Sequence, residues 1–303
     1  MRNKPTYTEL LEVQNFFKLP SPALVEKDWY VVQALAVIYS MDIAPFLFVF
    51  SGGTALSRAR NLTRRMSEDI DLRIVGKDGT RPSRSDLRRI KKQTTEALKS
   101  AGFLVGDPQS FNLHRKTVYL LPYDQTAVSP LLRPEIKIEM FECPVRLPTD
   151  AFEIRSFHAE AYERPPEILN VPCIALPEAI AEKFVALGRR SADCKLTNKP
   201  DATLVRHVYD IAVAQEHCTE SEVLSLINVI MHDDAKEHRT KGAEYVENPK
   251  QVLSATLQQI SEEKTFRSDY ANFLAEMVYG HKPEFAKAFG AVSRLVEALK
   301  TST

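Results

Sequence analysis

Two aspartates, Asp69 and Asp71, stand one residue apart inside an apolar run, shortly after a Gly52-Gly53-Thr54 turn. Alternate residues of a β-strand point to the same face, so the two carboxylates should lie side by side. Adjacent carboxylates repel each other unless a positive charge lies between them, and the divalent metals of phosphoryl chemistry supply that charge. The turn offers backbone N–H groups at an expected helix start, where a phosphate binds well. Together these features predict a nucleotidyl-transfer site.

A third carboxylate is expected from a neighbouring strand. Residues 135–142 alternate between apolar and charged side chains, and Glu139 lies deepest in this run. We therefore predict Glu139 as a third metal ligand. The alternative is that Glu135, Lys137 and Glu139 form a solvated face with cross-strand salt links. Plain alternatives also exist for the other two motifs, because Asp-x-Asp can be an exposed strand face and Gly-Gly-Thr an ordinary tight turn.

Lys183 is the second informative position. It falls inside the apolar stripe of a predicted helix, three residues after Ile180 and beside Phe184. A lysine there either extends its chain to water or binds an anion, and a triphosphate at a domain cleft would be such an anion. Asp210, on a neighbouring predicted helix, could orient Lys183. The alternative for Asp210 is an ordinary i,i+4 pair with Arg206.

Composition bounds the class of protein. The chain has 303 residues, which is enough for two domains, and its formal net charge is zero. Four scattered cysteines fit reduced thiols in a cytoplasmic protein. The N-terminus lacks the apolar core of a signal peptide, and the most apolar stretch, residues 31–50, is too interrupted to span a bilayer. We therefore expect a cytoplasmic protein that does not enter a membrane.

Arginines and lysines form local clusters despite the neutral total charge. Four arginines, Arg58, Arg60, Arg64 and Arg65, separate the turn from the carboxylates, and Arg65 could reach the site. Two further clusters could guide a polyanion, although such runs are usually solvated surfaces. They comprise Arg81, Arg84, Arg88, Arg89, Lys91 and Lys92, and then Arg189, Arg190, Lys195 and Lys199.

Periodicity predicts an α+β (α/β) catalytic domain over residues 1–160, with helices around one apolar sheet, and a helical domain over 161–303. In the first domain we expect helices at 6–18, from Ser21-Pro22 onward, after Gly53 and at 83–100. The predicted strands are 46–50, 70–75, 103–105, 117–121, 135–142 and 152–157. The predicted C-terminal helices are 177–189, 201–216, 219–231, 249–261, 266–279 and 283–300, with loops at 192–200 and 232–248.

The motif sequence resembles the AbiEii/AbiGii family of nucleotidyltransferase-like toxins, within the DNA polymerase β-like superfamily. The specific part is Ser-Gly-Gly-Thr-Ala-Leu-Ser at 51–57 followed by Arg-Met-Ser-Glu-Asp-Ile-Asp-Leu at 65–72. Supporting segments are Val-Glu-Lys-Asp-Trp-Tyr at 25–30, Ile-Lys-Ile-Glu at 136–139, Glu-Lys-Phe-Val-Ala-Leu at 182–187 and Arg-His-Val-Tyr-Asp-Ile at 206–211. The resemblance covers roughly residues 20 to 215.

The resemblance implies a bilobed protein in which helices flank a mixed β-sheet in the N-terminal nucleotidyltransferase lobe and the C-terminal lobe is helical. It also implies a Mg²⁺-dependent enzyme (Mn²⁺ could substitute) that uses a nucleoside triphosphate. Some members are toxins in phage defence, paired with an antitoxin from an adjacent gene, and mycobacterial relatives add pyrimidine nucleotides to the tRNA 3′ end. Relatives often have Arg-Asp where this chain has Arg206-His207. Any role of that aspartate in the relatives therefore has no counterpart at His207, whereas Asp210 is present. The expected catalytic residues are Asp69, Asp71, Lys183 and Asp210, the metal ligands Asp69, Asp71 and Glu139, and the nucleotide-binding residues Gly52, Gly53, Thr54, Ser57, Arg65 and Lys183.

These observations predict a nucleotidyltransferase toxin that transfers NMP from an NTP to an acceptor hydroxyl, foremost the tRNA 3′ end. Two alternatives stay open. The acceptor could be a protein or a small molecule, or the chain could be a nucleotide-binding or antitoxin-binding module without catalysis. The base of the NTP, the acceptor, the antitoxin and the oligomeric state are not encoded in any single motif.

Overall fold

The computed structural model describes residues 3–112, 115–237 and 243–301. The chain divides into two compact units, one ending at Ile174 and the other beginning at Ala175. The division expected from composition was at residue 160. The first unit carries a mixed sheet with helices and the second is helical, so the predicted fold class is confirmed.

A seven-stranded sheet organises the first unit, in the order β3-β4-β5-β2-β1-β7-β6. The central strand β2 runs antiparallel to β1 and parallel to β5, and β1 runs parallel to β7. The strands are β1 (Phe46–Ser51), β2 (Asp69–Gly76), β3 (Gln109–Phe111), β4 (Lys116–Pro122), β5 (Glu135–Glu142), β6 (Asp150–Ile154) and β7 (Ile168–Cys173).

Among the described residues, the helices of this unit are α1 (Tyr7–Phe17), α2 (Pro22–Tyr39), α3 (Gly52–Thr54), α4 (Arg84–Ser100) and α5 (Phe157–Ala161), and a π-helical segment (Ala55–Ala59) directly follows α3. The start of α2 follows from Ser21, whose hydroxyl accepts a hydrogen bond from Ala23 N at 3.2 Å, and from Pro22 in the first turn. Ser83 and Asp86 form a capping box that begins α4. Local sequence therefore determines where both long helices begin.

The two faces of the sheet have different roles. Apolar residues of α2 and α4 pack in one core with alternate strand residues such as Ile70 and Ile138. The Thr94 hydroxyl of α4 lies 3.8 Å from Met140 Sδ, which confirms that α4 covers the face of β5 opposite to Glu139. Asp69, Asp71 and Arg73 of β2 and Glu135, Lys137 and Glu139 of β5 are thereby left on the other face.

The second unit consists of helices α6 (Leu176–Thr197), α7 (Val205–Ala214), α8 (Glu220–Glu237), α9 (Ala243–Glu247), α10 (Pro249–Glu262), α11 (Lys264–Met277) and α12 (Phe285–Thr301). Their apolar stripes meet in a core that includes Ile180, Val208 and Leu295, all fully buried. Gly188 of α6 permits close packing, because an added Cβ would lie 3.3 Å from both Cβ and Cγ of Leu253. Among the described helices, none combines the length and apolarity needed to cross a bilayer.

Several sequence predictions of local structure were wrong. Residues 103–105 form no strand, and Leu104 is exposed; the short strand comes later, at Gln109–Phe111. Residues 192–197, predicted as loop, continue α6, and α8 extends to Glu237. The predicted loop at 232–248 also includes α9, and its residues 238–242 lie outside the described part of the chain.

Candidate functional site

The paired aspartates lie on β2 as the alternation predicts. Asp69 and Asp71 share one sheet face, where Asp71 is in register with Ser51 of β1 and with Glu139 of β5. Asp69 is in register with Lys137 of the parallel strand β5. Three carboxylates from two neighbouring strands therefore occupy one face of the sheet, opposite to the face that α4 covers.

The glycine turn directly contacts one of these carboxylates. Gly52 has φ of 75°, and a Cβ added there would overlap Asp71 Oδ2 and lie 2.8 Å from Asp71 Cγ. Both the backbone conformation and the lack of space require glycine at this position. At Gly53 an added Cβ would overlap Arg65 Nη2 and lie 2.9 Å from Ser67 Oγ. The turn is thus packed between the Asp71 carboxylate and the Arg65 guanidinium.

The hydroxyl groups of the turn are engaged within the protein. The Thr54 hydroxyl donates to the Asp69 carbonyl oxygen and lies 2.9 Å from Ser67 Oγ. The Ser57 hydroxyl donates to the Thr54 carbonyl at 3.2 Å, and both side chains are buried. The Thr54 hydroxyl thus ties the turn to the start of β2, whereas the Ser57 hydrogen bond lies within the segment that follows the glycines.

Arg65 is a buried residue of the site. Its guanidinium Nη1 donates to the Met66 carbonyl at 2.8 Å, and the same guanidinium packs against Gly53. The other arginines of this segment have different contacts. Arg58 lies 3.2 Å from Asp28 and stacks on the Phe157 ring at 3.8 Å. Arg65 is therefore the member of this segment that the structure brings to the glycine turn.

Arg133, which the sequence analysis did not single out, forms an ion pair with Asp69. Its Nη2 contacts Asp69 Oδ1, and its Nε lies 3.9 Å from Glu68 Oε2. The Arg133 and Asp69 side chains are 37% and 34% exposed, so solvent reaches the pair. The two carboxylates raise the pKa of Arg133 against the opposing effect of its burial. The parallel pairing of β2 with β5 explains the contact, because it brings the chain just before β5 next to the start of β2.

Glu139 is bound by two lysines. Lys116 Nζ lies 2.5 Å from Glu139 Oε2, and Lys137 contacts the other carboxylate oxygen. Burial acts to raise the pKa of Glu139, but the hydrogen bonds from both lysines outweigh it, so the net pKa is lowered. The Lys116–Glu139 contact is a cross-strand salt link of the kind that the alternative interpretation expects, whereas Lys137 and Glu139 lie on the same strand. The role of Glu139 as a metal ligand stays a prediction.

The carboxylates of Asp69 and Asp71 are the groups that could bind magnesium. Within the described ranges, no group of three or more His, Cys, Asp or Glu side chains is arranged to hold a metal ion. Magnesium in phosphoryl-transfer sites commonly takes one or two carboxylates and completes its shell with phosphate oxygens and water. Asp69 and Asp71, on one face beside the turn, fit this smaller requirement.

Glu26, Lys27 and Asp28 are three consecutive charged residues of α2 that are buried, and Lys27 contacts the segments that carry Arg133 and Glu68. Lys27 Nζ donates to the carbonyls of Arg133 at 2.7 Å and Glu135 at 2.6 Å, and lies 3.4 Å from Glu68 Oε2. Desolvation lowers the pKa of Lys27 although Glu68 opposes this change. Sequence reasoning used this segment only as a family resemblance, although three adjacent charges in an apolar helix are themselves a signal, because buried charges need partners.

Glu26 and Asp28, the charged residues on either side of Lys27, bind further segments of the chain. Glu26 accepts hydrogen bonds from Thr126 N at 2.8 Å and Ala127 N at 2.9 Å. Asp28 accepts one from Phe157 N at 2.6 Å and pairs with Arg58. The burial of Asp28 raises its pKa to about 6 despite the Arg58 charge. Helix α2 thereby connects the loop before β5, the segment after the turn and the start of α5.

Lys183 and Asp210 form an ion pair inside the second unit. Lys183 Nζ on α6 lies 2.7 Å from Asp210 Oδ2 on α7, and the Asp210 side chain is fully buried. The predicted orientation of Lys183 by Asp210 is thus present as a contact. His207, the residue that departs from the family pattern, lies 3.1 Å through Nε2 from Arg190 Nη1. The contact gives His207 an arginine neighbour within this unit.

The two basic clusters differ from the site in position or contacts. Arg84, Arg88 and Lys92 are exposed on α4, which covers the sheet face opposite to the carboxylates. In the second cluster, Arg189 lies 3.0 Å from Asp234, and Arg190 pairs with Asp201. The α4 cluster thus presents its charge away from the carboxylate face of the first unit, and these two arginines of the second cluster have acidic partners.

A mixed sheet that places paired carboxylates against a glycine turn defines a nucleotidyltransferase fold, and comparisons with known proteins agree. The chain belongs to the AbiEii family: the family model described as nucleotidyl transferase AbiEii toxin, type IV TA system, matches residues 44–293. It is a nucleotidyltransferase toxin of a type IV toxin–antitoxin family. Membership implies a nucleoside triphosphate substrate and a cognate antitoxin.

A solved structure supports the fold. MenT4, a nucleotidyltransferase toxin from Mycobacterium tuberculosis H37Rv, is similar with a TM-score of 0.61 and 17% identity, over 97% of this chain and 90% of that one. A STING-associated CdnE c-di-GMP synthase from Capnocytophaga granulosa aligns over 98% of this chain and 88% of its own, at 11% identity and a TM-score of 0.26, which carries no argument. No curated protein matches the chain.

Proposed function

We propose that this toxin transfers a nucleoside monophosphate from an NTP to an acceptor hydroxyl, with Mg²⁺ or Mn²⁺ held by Asp69 and Asp71. The observation that carries the proposal is the packing of Gly52 against the Asp71 carboxylate, which leaves no room for a Cβ. A phosphate bound by the turn would therefore lie beside the carboxylate that binds its metal. When bound, the metal would lower the pKa of the acceptor hydroxyl and stabilise the leaving pyrophosphate.

The protein's own residues would bind and orient the nucleotide. Backbone N–H groups of Gly52 and Gly53 are proposed to bind the triphosphate, and Arg65 supports them from behind the turn. Lys183 keeps its proposed catalytic role in the second unit, and Asp210 holds its ammonium group at 2.7 Å. The acceptor hydroxyl then attacks the α-phosphate, and the bond to pyrophosphate breaks. Glu139 would join the metal ligands only by exchanging its lysine contacts.

We propose tRNA, at its 3′ end, as the acceptor. The support is the resemblance of the 51–72 segment to a family with members that modify tRNA, and the same resemblance supports a role in phage defence. The enzyme would then act in the cytoplasm, where both substrates occur. The antitoxin is proposed to be encoded by an adjacent gene. Transfer to a protein or to a small molecule remains the competing outcome.

A labelling assay tests both parts of this proposal. Purified protein is incubated with each of the four α-³²P-labelled NTPs, MgCl₂, and either bulk tRNA or a tRNA-depleted lysate. We expect label in tRNA with the wild type, and none with Asp69→Ala or Asp71→Ala, whose circular dichroism stays native. Glu96→Ala serves as the matched control, because this exposed carboxylate lies on α4, on the opposite side of the sheet.

Each outcome separates one hypothesis from the others. Wild-type transfer by Asp69→Ala or Asp71→Ala would show that the metal assignment is wrong. Label in a protein or in a small molecule would replace tRNA as the acceptor. NTP binding without labelled acceptor in any fraction would favour the nucleotide-binding module.

A further inference from the structure

Arg133 combines a fixed backbone with an exposed charge. Its N–H donates to Glu68 Oε2 at 2.9 Å, and its carbonyl accepts from Lys27 Nζ at 2.7 Å. Both partners are buried, with Lys27 fully inaccessible to solvent. The Arg133 side chain, in contrast, is 37% exposed and reaches Asp69. The backbone is therefore anchored on both sides, while the guanidinium can leave its partner at little cost.

The position of the guanidinium matters because of what Asp69 is proposed to bind. Arg133 Nη2 contacts Asp69 Oδ1. A divalent cation on either oxygen of that carboxylate would lie within a few ångströms of the guanidinium, and like charges at that distance repel each other. The same contact offsets the mutual repulsion of Asp69 and Asp71, which share one sheet face.

We propose that Arg133 is the built-in counter-ion of Asp69 and competes with the divalent cation for this carboxylate. The inference rests on the proposed metal role of Asp69. If Arg133 competes in this way, a metal ion without nucleotide binds weakly, because it must displace the guanidinium. The negative charge of a triphosphate offsets the repulsion between metal and guanidinium, so the metal binds together with the nucleotide. Arg133 is in this sense a positioning residue, anchored by Glu68 and Lys27.

Mn²⁺ titration followed by electron paramagnetic resonance, without nucleotide, measures this competition directly. Arg133→Met should bind Mn²⁺ roughly fivefold more tightly than the wild type, as expected for loss of a solvent-exposed ion pair. Arg115→Met is the matched control, because Arg115 is 40% exposed and pairs with Glu142 on the other face of β5. Its Mn²⁺ affinity should equal that of the wild type. Thermal unfolding confirms that both variants are folded.

Two results would overturn the inference. One is an Arg133→Met affinity equal to that of Arg115→Met or of the wild type. The other is an effect of Arg133→Met that persists in an Asp69→Asn background, which would indicate a general charge effect. Asp69→Asn alone distinguishes the metal role of Asp69 from the counter-ion role of Arg133. If this variant binds Mn²⁺ like the wild type, the proposed metal site itself is wrong. If it loses Mn²⁺ while Arg133→Met has no effect, only the counter-ion role fails.

Discussion

The two units carry ion pairs of opposite character. In the first unit, Asp69 and Arg133 are about one-third exposed, and both are accessible to solvent and ions. In the second unit, Lys183 is 8% exposed and Asp210 is fully buried, at 2.7 Å from each other. An exposed pair contributes little to stability and exchanges partners easily, whereas a buried pair is costly to break. The ion pair of the first unit can therefore exchange partners, whereas that of the second unit is fixed by burial.

Breaking the buried pair should have the largest effect. Asp210→Ala leaves the Lys183 ammonium buried without this partner, so we expect the free energy of unfolding to fall by about 3–5 kcal/mol. Urea denaturation measures the change. The double variant Lys183→Met/Asp210→Ala should recover more than half of the loss, because it removes the buried charge as well. Transfer activity should be lost in both variants. If Asp210→Ala lowered the free energy of unfolding by less than Asp69→Ala does, the proposed difference between the two ion pairs would be wrong.

In the first unit, the close packing of Gly52 should fix the position of the Asp71 carboxylate. Gly52→Ala introduces a Cβ that overlaps Asp71, at a residue with φ of 75°. Gly79→Ala is its matched control, with φ of 81° and nothing within 4 Å of the added Cβ. Both should lose about 1–2 kcal/mol of stability from backbone strain. Only Gly52→Ala should lose transfer, by roughly 100-fold, because Asp71 is displaced. Equal activities in the two variants would contradict this assignment.

The exposed pair itself should be nearly neutral for stability. Asp69→Ala and Arg133→Met should each change the free energy of unfolding by less than about 1 kcal/mol. Repeating the urea titrations in 0.5 M NaCl should reduce even this difference, since salt screens exposed charges. A loss as large as that of Asp210→Ala would mean that the first unit depends on this pair for its fold.

The smallest effect concerns the pH dependence of stability. The lysine contacts lower the pKa of Glu139 below its usual 4.5 in the folded state. The ionised carboxylate therefore contributes stability at neutral pH, and this contribution is lost as pH falls below about 4.5 and through the lowered folded pKa. Urea titrations from pH 7 to pH 3 should show a shallower loss for Glu139→Gln than for the wild type. Parallel curves for the two proteins would contradict a stabilising Glu139 charge.

Local sequence accounts for much of the fold. The strand over residues 135–142 was predicted with its observed bounds, because its apolar residues alternate strictly and face a core. The capping serines of α2 and α4 predicted where those helices begin. Strand β7 was missed, since Ile168–Cys173 contains a proline and lacks clean alternation, and only its pairing with β1 and β6 makes it a strand. The short run 103–105 was wrongly predicted as a strand from its apolar residues, and within the described part of the chain it pairs with no strand of the sheet.

The chemical groups of the site follow from the amino-acid sequence: which residues carry charge, where glycine permits an unusual backbone, and that Asp69 and Asp71 share a strand face. These features depend on residue type and on spacing over a few positions. The folded arrangement was needed to show that Arg133 pairs with Asp69, that Lys27 binds the carbonyl of Arg133, and that Lys116 and Lys137 bind Glu139. The physical reason is that strand order and register bring together residues far apart in the chain, and local periodicity contains no information about which distant strands pair.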